Sequence, residues 1–236
     1  MIRKKREKFN PSRVWLDREI ADFGKQLPPG GRVLDAGAGD QRYRCHFQHM
    51  DYEAADFEKV DKPYAQSTYV CDLADIPVEN ERFDGIIFSQ VMEHLPYPAK
   101  TLSELHRVLK PGGKLFYSAP LFYEEHEKPY DFYRYTQFSI NLLFKDAGFS
   151  IERLDWLEGY MGTLNYQLRR MARHLPFRPS QIGGGPMAWA TVTAFIPLKI
   201  SAIIAAYGAG RCDIRTRYKG SGFPINYVAI VKKPQD

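Results

Sequence analysis

The chain has 236 residues, of which 44% are hydrophobic and 26% are charged, and its formal net charge is +5. This length suits one α/β domain with an added segment, and the apolar content is enough for a buried core. Its three cysteines, Cys45, Cys71 and Cys212, are isolated, without a C-x-x-C pair or a metal-ligand spacing. They exclude a disulfide framework and a cysteine zinc site, predict no bound metal, and favour a reducing cytoplasm.

The basic residues are the main clue to binding partners. The first eight residues are basic but lead into polar residues and not into an apolar core, which predicts no signal peptide. Further basic residues cluster at 169–178 and 211–219. They are not interleaved with the aromatic and glycine pattern of an RNA-binding module, so the charge does not favour nucleic acid as a partner. We expect residues 1–30 to form a basic helical arm.

The most informative motif is an apolar strand that runs into an acidic residue and a Gly-x-Gly turn. Asp35 lies near the end of the strand, and Gly37 and Gly39 follow it. Glycines allow backbone angles that are closed to other residues and let the main chain approach a ligand. Arg42 stands where a third glycine would complete a dinucleotide-binding pattern, and Asp35 would repel a diphosphate. The turn therefore favours an uncharged or cationic ligand end.

Two further acidic residues end the next two short strands. Asp56 ends the strand at 52–56, and it lies roughly 20 residues past the glycines, where a ribose-binding acid is expected. Asp72 ends the strand at 69–73. Each residue alone is a common turn residue, but three acids in register after three strands favour a nucleotide site.

Residues 83–120 continue the alternation of strands and helices. Residues 83–90, which include Ser89, form a near-continuous apolar strand of the kind buried in a parallel sheet. A helix is predicted over 98–109, because four apolar residues recur at steps of three and four: Leu102, Leu105, Val108 and Leu109. The Lys-Pro-Gly-Gly segment at 110–113 should end that helix, and a fifth strand should begin at Lys114.

In this order, the motifs of residues 33–120 resemble the class I S-adenosylmethionine-dependent methyltransferases and, within them, the methyltransferase type 11 group. The resemblance implies S-adenosyl-L-methionine as the cofactor and methyl transfer as the activity. It implies that the acid and the glycine turn hold the amino-acid end of the cofactor, the second acid the ribose, and the third the adenine amino group. The cofactor-binding residues predicted are Asp35, Gly37, Gly39, Asp56, Asp72, Leu73 and Ser89.

Residues 124–136, just past the fifth strand, are predicted to line the acceptor pocket, because this fold binds ligands at the carboxyl ends of its strands. His126, Arg134 and His94 are the candidate catalytic residues, with His126 as a base. In the alternative interpretation, Arg134 pairs with Asp131 to brace the loop, and His94 caps or hydrogen-bonds below the cofactor. Thr136 is expected to cap the next helix, whose core face would contain Phe138, Leu142, Leu143 and Phe144.

A sixth strand is predicted at 149–154 and a closing strand at 226–233, which in this family lies antiparallel beside the sixth. The predicted fold class is α/β, a Rossmann-like, doubly wound, seven-stranded and mainly parallel sheet with a helical apolar insertion before the last strand. The predicted domains are the arm at 1–30, the cofactor-binding core at 31–156, the insertion at 157–222, and the final strand and tail at 223–236.

The insertion contains a charge-poor run in which Lys199 is the only charged residue between Gly183 and Gly210. The run is long enough to cross a membrane, but a central Lys costs roughly 2.5 to 3.5 kcal/mol and Pro197 breaks a helix, so a single span is not favoured. We expect two short apolar helices angled at Pro197 that contact a membrane surface, with basic flanks near anionic headgroups. A buried cap or a dimer surface stays open as the alternative.

The sequence thus predicts a methyltransferase for a small-molecule, lipid or lipid-linked glycan acceptor, in the cytoplasm or peripheral at the inner face of the membrane, with its oligomeric state open. Two rival classes stay open as well. A nicotinamide-dependent reductase would share the turn and Asp56, but it should have the third glycine and a Tyr-x-x-x-Lys pair. A non-catalytic binding module would be expected to lose the cofactor residues, which all stand here.

Overall fold

The computed structural model describes residues 10–60 and 63–235. These residues divide into two compact units. The sheet unit consists of residues 16–157 and 226–235, and the helical unit consists of residues 10–15 and 158–225. Most of the basic segment predicted to begin the N-terminal arm, residues 1–9, lies outside the described residues. The domain boundaries expected from the sequence stay a prediction.

Seven strands form one sheet. Their bounds are β1 Arg32–Ala36, β2 Asp51–Asp56, β3 Tyr69–Val70, β4 Phe83–Ser89, β5 Leu109–Pro120, β6 Ser150–Trp156 and β7 Asn226–Lys232. Their order across the sheet is β3-β2-β1-β4-β5-β7-β6. Only β7 runs antiparallel, between β5 and β6. The fold class predicted from the sequence is confirmed, including the antiparallel last strand beside the sixth.

Helices pack on both sides of the sheet. Helix α1 spans Pro11–Gly24, and from Leu16 onward it belongs to the sheet unit. It buries Leu16, Ile20 and Phe23, whose spacing of four and three residues places them on one helical face. A 3-10 turn at Arg44–Phe47 lies between β1 and β2.

Helix α2, Pro98–Val108, buries Leu102, Leu105 and Val108 as predicted. The expected strand start at Lys114 is wrong, because β5 begins at Leu109 and contains the Lys-Pro-Gly-Gly segment. The pairing of β5 with β4 shifts register in this region, and Gly112 adopts a φ of 78°. A glycine in the left-handed region lets the chain make this irregularity and still continue as a strand.

Helix α3, Gln137–Asp146, begins at Thr136, whose hydroxyl accepts a hydrogen bond from the Ser139 amide at 3.3 Å. The predicted cap is therefore confirmed, whereas the predicted core face is confirmed for Phe144 and the partly buried Leu143 and wrong for Phe138 and Leu142. Phe138 and Leu142 are 76% and 60% exposed, whereas Ile140 and Phe144 are fully buried. Phe138 and Leu142 share one face at a spacing of four residues, and Phe144 lies on the opposite face, so these three cannot pack against one surface.

The helical unit pairs α4, Tyr160–His174, with α5, Gly185–Thr216. Helix α5 is a single helix of 32 residues that runs through Pro197, so the expectation of two short helices was wrong. An interior proline costs about 3 kcal/mol at one turn. Small buried residues pack the helix along its length on either side of the proline and offset that local cost: Ala188, Val192, Ala202, Ala206 and Gly210. The buried Asn165 side chain of α4 also donates to the Ala206 carbonyl at 2.6 Å.

The opposite face of α5 is apolar and exposed. Its large exposed side chains are Met187, Trp189, Ile196, Leu198, Ile200, Ile203, Ile204 and Tyr207. By length and composition α5 could cross a membrane, with a mean hydropathy of 1.6 over an 18-residue window of which 17% is buried. Core helices of soluble proteins reach the same length and composition, so this feature alone does not assign a location.

Candidate active site

A cavity of about 480 Å³ opens at the carboxyl ends of β1 to β4, where the strand order reverses between β1 and β4. Ligands of doubly wound sheets bind at this kind of position. The residues that line it are Gly37, Asp56, Phe57, Lys59, Val70, Cys71, Asp72, Leu73, Gln90, Val91, His94, Leu95, Pro96, Glu127, Tyr130 and Phe132. The structure therefore brings together five residues predicted from the sequence: Gly37, Asp56, Asp72, Leu73 and His94.

The glycine turn after β1 has a strict steric requirement at one position. Gly37 has a φ of 80°, and a Cβ built there would lie 2.3 Å from a methyl carbon of Val91. A larger residue would therefore displace Val91 from the cavity wall. Gly39 has a φ of 51° with open space around it, and its amide donates to the Asp56 carboxylate at 2.9 Å. The turn and the end of β2 are thus joined directly.

Two carboxylates line one end of the cavity, on the side of β2 and β3. Asp56 is buried, and its two oxygens accept hydrogen bonds from the amides of Gly39 at 2.9 Å and Glu58 at 3.1 Å. Asp72 is exposed to the cavity, and its carboxylate accepts from the Ala74 amide at 2.9 Å. Each carboxylate oxygen has further lone pairs, so both side chains can still accept hydrogen bonds from ligand hydroxyl or amino groups.

Three of the predicted cofactor residues, Asp35, Gly39 and Ser89, are not among the residues that line the cavity. Asp35 is 5% exposed and accepts a hydrogen bond from the Tyr52 hydroxyl. Burial raises the pKa of the Asp35 carboxyl to about 7, against the lowering effect of that hydrogen bond. The Ser89 hydroxyl lies 2.9 Å from the Ser118 hydroxyl, on the neighbouring strand. Direct contact of either side chain with a ligand stays a prediction.

His94 lines the cavity at its other end, on the side of β4, in a 3-10 turn at Met92–His94. Its Nδ1 bonds to the Tyr130 carbonyl, which lies in the segment after β5. Because a carbonyl can only accept, Nδ1 carries the proton and Nε2 keeps its lone pair. Burial lowers the pKa of His94, which keeps the ring neutral near pH 7.

The other two candidate catalytic residues belong to the segment after β5. Arg134 makes two hydrogen bonds to Asp131, at 2.7 and 2.8 Å, and also donates to the carbonyls of Tyr123 and Glu124. Burial opposes the charge on Asp131, but the Arg134 guanidinium overcomes it and lowers the pKa of Asp131 to about 2. This is the bracing geometry of the alternative interpretation, whereas the catalytic role of Arg134 stays a prediction.

His126 stands next to this brace. Its amide donates to Asp131 at 2.8 Å, and its Nδ1 lies 3.2 Å from the Glu124 carbonyl. Its ring meets the His94 ring edge to face, with centroids 4.7 Å apart. The structure therefore brings the two candidate histidines together. The role of His126 as a base stays a prediction.

Sequence reasoning missed Glu93. The side chain is fully buried, and neither carboxylate oxygen has a hydrogen-bond partner on another residue in the part of the chain that the structure describes. Burial raises the pKa of Glu93 to about 8. The signal available in the sequence was an acid inside the otherwise apolar Val-Met-Glu-His-Leu stretch, directly beside His94.

Gln90 was also missed. It follows β4 with a φ of 59°, uncommon for a residue other than glycine, and its amide donates to the Ser118 carbonyl at 2.7 Å. Such strained backbone often accompanies binding sites. Tyr130 and Phe132, which line the cavity from the segment after β5, could have been found only by knowing where that loop folds back.

Together these groups can hold a ligand that has hydroxyl and amino groups at one end and a reacting group at the other. The carboxylates of Asp56 and Asp72 can accept hydrogen bonds from the first end of such a ligand. The neutral imidazole of His94 and the buried carboxyl group of Glu93 would lie near its second end. That arrangement suits positioning with optional proton transfer, which is what a group-transfer reaction between two bound molecules needs.

Comparisons with known proteins agree with this geometry. A family model described as a methyltransferase domain matches residues 6–154. A ubiquinone biosynthesis O-methyltransferase of Azotobacter vinelandii is 37% identical over 127 residues, which are 47% of this chain and 51% of that protein. A tRNA (carboxymethyluridine(34)-5-O)-methyltransferase of Arabidopsis thaliana is 33% identical over 113 residues, 44% of this chain and 28% of that protein. The chain thus spans about half or less of the length of these relatives.

Solved structures share the fold. The 1,6-didemethyltoxoflavin-N1-methyltransferase of Burkholderia thailandensis, solved with bound S-adenosylhomocysteine, superposes with a TM-score of 0.54 at 16% identity. The match covers 93% of this chain and 78% of that one. The family model spans more than half of the chain and confirms the resemblance inferred from the motifs. The chain therefore belongs to the methyltransferase domain family, within the class I enzymes whose cofactor is S-adenosyl-L-methionine.

Proposed function

We propose that this chain transfers a methyl group from S-adenosyl-L-methionine to an oxygen atom of a small-molecule or lipid-linked acceptor. One observation carries the proposal: a single cavity has Asp56 and Asp72 at one end and His94 at the other. This spacing of groups suits a nucleoside at the carboxylates and a reacting methyl group near the histidine.

The cofactor end is assigned residue by residue. Asp56 accepts from the ribose hydroxyls, Asp72 accepts from the adenine amino group, and the Leu73 backbone lies beside the ring. The bare backbone at Gly37 and Gly39 receives the amino-acid end, and Asp35 and Ser89 are the further residues assigned to the cofactor. Support comes from the positions of Gly37, Asp56, Asp72 and Leu73 on one cavity wall.

The acceptor end has less chemistry to supply. Methyl transfer from a sulfonium needs alignment of nucleophile, methyl carbon and sulfur, and it needs a base only when the nucleophile is protonated. Oxygen is proposed because two relatives are named as O-methyltransferases. A hydroxyl acceptor carries a proton, and His94 or His126 is positioned to receive it, with Arg134 acting through the loop that it braces.

Calorimetry separates this proposal from the reductase alternative. The purified chain should bind S-adenosylhomocysteine and should give no heat of binding with a nicotinamide dinucleotide. Binding of the dinucleotide alone would contradict the proposal. In the same measurement, Asp51→Ala is the matched control for Asp56→Ala, because Asp51 is an exposed acid at the opposite end of β2 from Asp56.

A labelling experiment separates an enzyme from a non-catalytic module. Cell extract is incubated with the protein and S-adenosyl-L-methionine carrying a radioactive methyl group, and the extract is divided into aqueous and lipid fractions. Label should enter one fraction with the natural chain and not with Asp56→Ala. Equal labelling with both proteins would show that the label comes from other enzymes and would contradict the proposal.

We also propose that the helical unit contacts an anionic membrane surface, which would place the protein in the cytoplasm or at the inner face of the membrane. Lys199, the one charge in the middle of α5, is bound to the Leu175 carbonyl at 2.7 Å and lies over the Phe177 ring. Its charge is thus held at the end of α4. The apolar face described above carries no other charge between residues 185 and 210, and arginines flank it at both ends.

Vesicle sedimentation tests this contact. The protein should sediment with anionic vesicles and much less with neutral ones, because each basic residue near an anionic surface adds about 1 kcal/mol. High salt should weaken attachment without abolishing it. Replacing Trp189 and Ile204 by serine should reduce sedimentation, while Phe138→Ser, which removes an equally exposed aromatic ring from α3, should not. Protein left in the supernatant with anionic vesicles at low salt would favour a buried cap or a dimer surface.

A further inference from the structure

We infer that Glu93, His94 and His126 bind a divalent transition-metal cation, of which Zn²⁺ suits the site best, at the acceptor end of the cavity. The three residues each offer one ligand atom, and these atoms lie within 4.8 Å of one another. His94 Nε2 is 3.9 Å from a Glu93 carboxylate oxygen. Ligand atoms of a tetrahedral zinc site lie roughly 3.4 Å apart, given bonds of about 2.1 Å, so side-chain rotations suffice to close the site.

The proton positions on the histidines favour a cation. The Tyr130 carbonyl fixes the proton of His94 on Nδ1, so Nε2 presents a lone pair toward Glu93. The Glu124 carbonyl engages His126 through Nδ1 in the same way. A carbonyl that orients the far nitrogen of an imidazole is the usual outer partner of a metal-bound histidine. Two backbone carbonyls thus hold both rings in the tautomer that a metal needs.

Glu93 supplies the second, independent observation. Its carboxylate is fully buried, lies beside the His94 lone pair, and has no hydrogen-bond partner on another of the described residues. Buried carboxylates are normally paired or coordinate a metal. A cation between Glu93 and the histidines would give the carboxylate the partner that it lacks there.

The donor set decides the class of cation. Two imidazoles and one carboxylate are borderline ligands that suit zinc and its neighbours, whereas Mg²⁺ and Ca²⁺ prefer oxygen ligands throughout. Three protein ligands with a fourth position left open are typical of catalytic zinc sites. His94 lines the cavity, so a bound molecule can reach that fourth position.

The role of the cation rests on the proposed function. With the cation bound, His94 and His126 are its ligands and neither serves as the base. The acceptor oxygen would take the fourth position, where the cation lowers the pKa of its hydroxyl group and the proton leaves to solvent. The oxygen lone pair then forms the new bond to the methyl carbon. The carbon–sulfur bond breaks with its electron pair returning to sulfur, so the sulfonium becomes the neutral thioether of S-adenosylhomocysteine.

Cobalt titration tests the site without any acceptor. The full chain is stripped with EDTA, dialysed, and titrated with Co²⁺ while its visible absorption is recorded. One Co²⁺ per chain should bind with the intense bands of a four- or five-coordinate ion, and Zn²⁺ should displace it. His126→Ala and Glu93→Gln should each weaken Co²⁺ binding at least about tenfold. His49→Ala should not, because His49 is an exposed histidine outside the cluster, bonded to the Gly24 carbonyl.

Calorimetry with S-adenosylhomocysteine on every variant checks folding. Cofactor binding without saturable Co²⁺ binding would overturn the metal site and leave the proposed function standing. Co²⁺ binding without cofactor binding would contradict the proposed function and leave the metal site standing. Equal loss in His49→Ala and His126→Ala would show that the ion binds elsewhere and would overturn the assignment.

Discussion

The two ends of the cavity are built in different ways. At the cofactor end, Asp56 and Asp72 are oriented by backbone amides of the turns that follow or face their strands. At the acceptor end, a loop is held in place by the Arg134–Asp131 ion pair and by the bond from His94 to a loop carbonyl. The Glu93 carboxylate lies there without a hydrogen-bond partner on another residue among residues 10–60 and 63–235.

This contrast separates binding from specificity. Strand ends and their turns are fixed by the sheet, so the cofactor end can be the same in enzymes with different acceptors. A loop braced by side chains can change with few substitutions and can therefore carry the choice of acceptor. We accordingly expect variants at the two ends to affect different measured quantities.

The largest expected effect is at the cofactor end. Asp56→Ala removes the proposed acceptor of two ribose hydrogen bonds, and bonds to a charged group contribute roughly 1.5 to 3 kcal/mol each. The dissociation constant for S-adenosylhomocysteine, measured by calorimetry, should rise on the order of a hundredfold or more. An unchanged dissociation constant would contradict the assignment of Asp56 to the cofactor site. The control variant Asp51→Ala should leave the dissociation constant unchanged.

A second prediction concerns Asp35, which lies behind the glycine turn. Its pKa is raised from 3.8 to about 7 in the folded protein, so between these pH values the folded state binds more protons than the unfolded state. The contribution of Asp35 therefore lowers the free energy of unfolding as the pH rises, by at most about 1.4 kcal/mol per pH unit.

Urea unfolding between pH 4 and 8 measures this contribution. Asp35→Asn keeps an oxygen for the Tyr52 hydroxyl but cannot ionise, so the variant should gain stability relative to the natural chain as the pH rises. Parallel pH profiles for the two proteins would mean that Asp35 is ionised in the fold and does not lie in the dry environment described here.

The smallest expected effect sharpens the contrast most. Arg134→Ala removes the brace of the acceptor loop but leaves the carboxylates proposed to bind the cofactor unchanged. Turnover on the true acceptor should fall about tenfold or more, while the affinity for S-adenosylhomocysteine stays nearly unchanged. Arg134→Lys should recover only part of the turnover, because Lys keeps the charge but loses the two-point contact with Asp131. Joint loss of cofactor affinity and turnover would make the loop purely structural.

The sequence predicts the fold and the cofactor end because both depend on local patterns. A strand, an acid and a glycine turn are adjacent in the chain, and Asp56 ends a short strand roughly 20 residues further on, so Gly37 and Asp56 can be located without knowing the tertiary structure. The acceptor end depends on contacts distant in sequence. Glu93 and His126 are brought together by the path of the loop after β5, which no residue spacing reveals.

Two helices show the same limit of prediction from local sequence patterns. In α3, the apolar residues Phe138 and Leu142 face outward, because Ile140 and Phe144 take the core side. In α5, Pro197 did not divide the helix, because packing against α4 continues on both sides of it. Propensity and composition identified both helices but not which residues would be covered.

A crystal structure of the chain with S-adenosylhomocysteine tests the central claim most directly. We expect the nucleoside in the cavity, with the ribose hydroxyls within hydrogen-bond distance of Asp56, the adenine amino group at Asp72, and the sulfur on the side of His94. A ligand bound elsewhere, or bound in the cavity with its ribose away from Asp56, would contradict the assignment of the two ends.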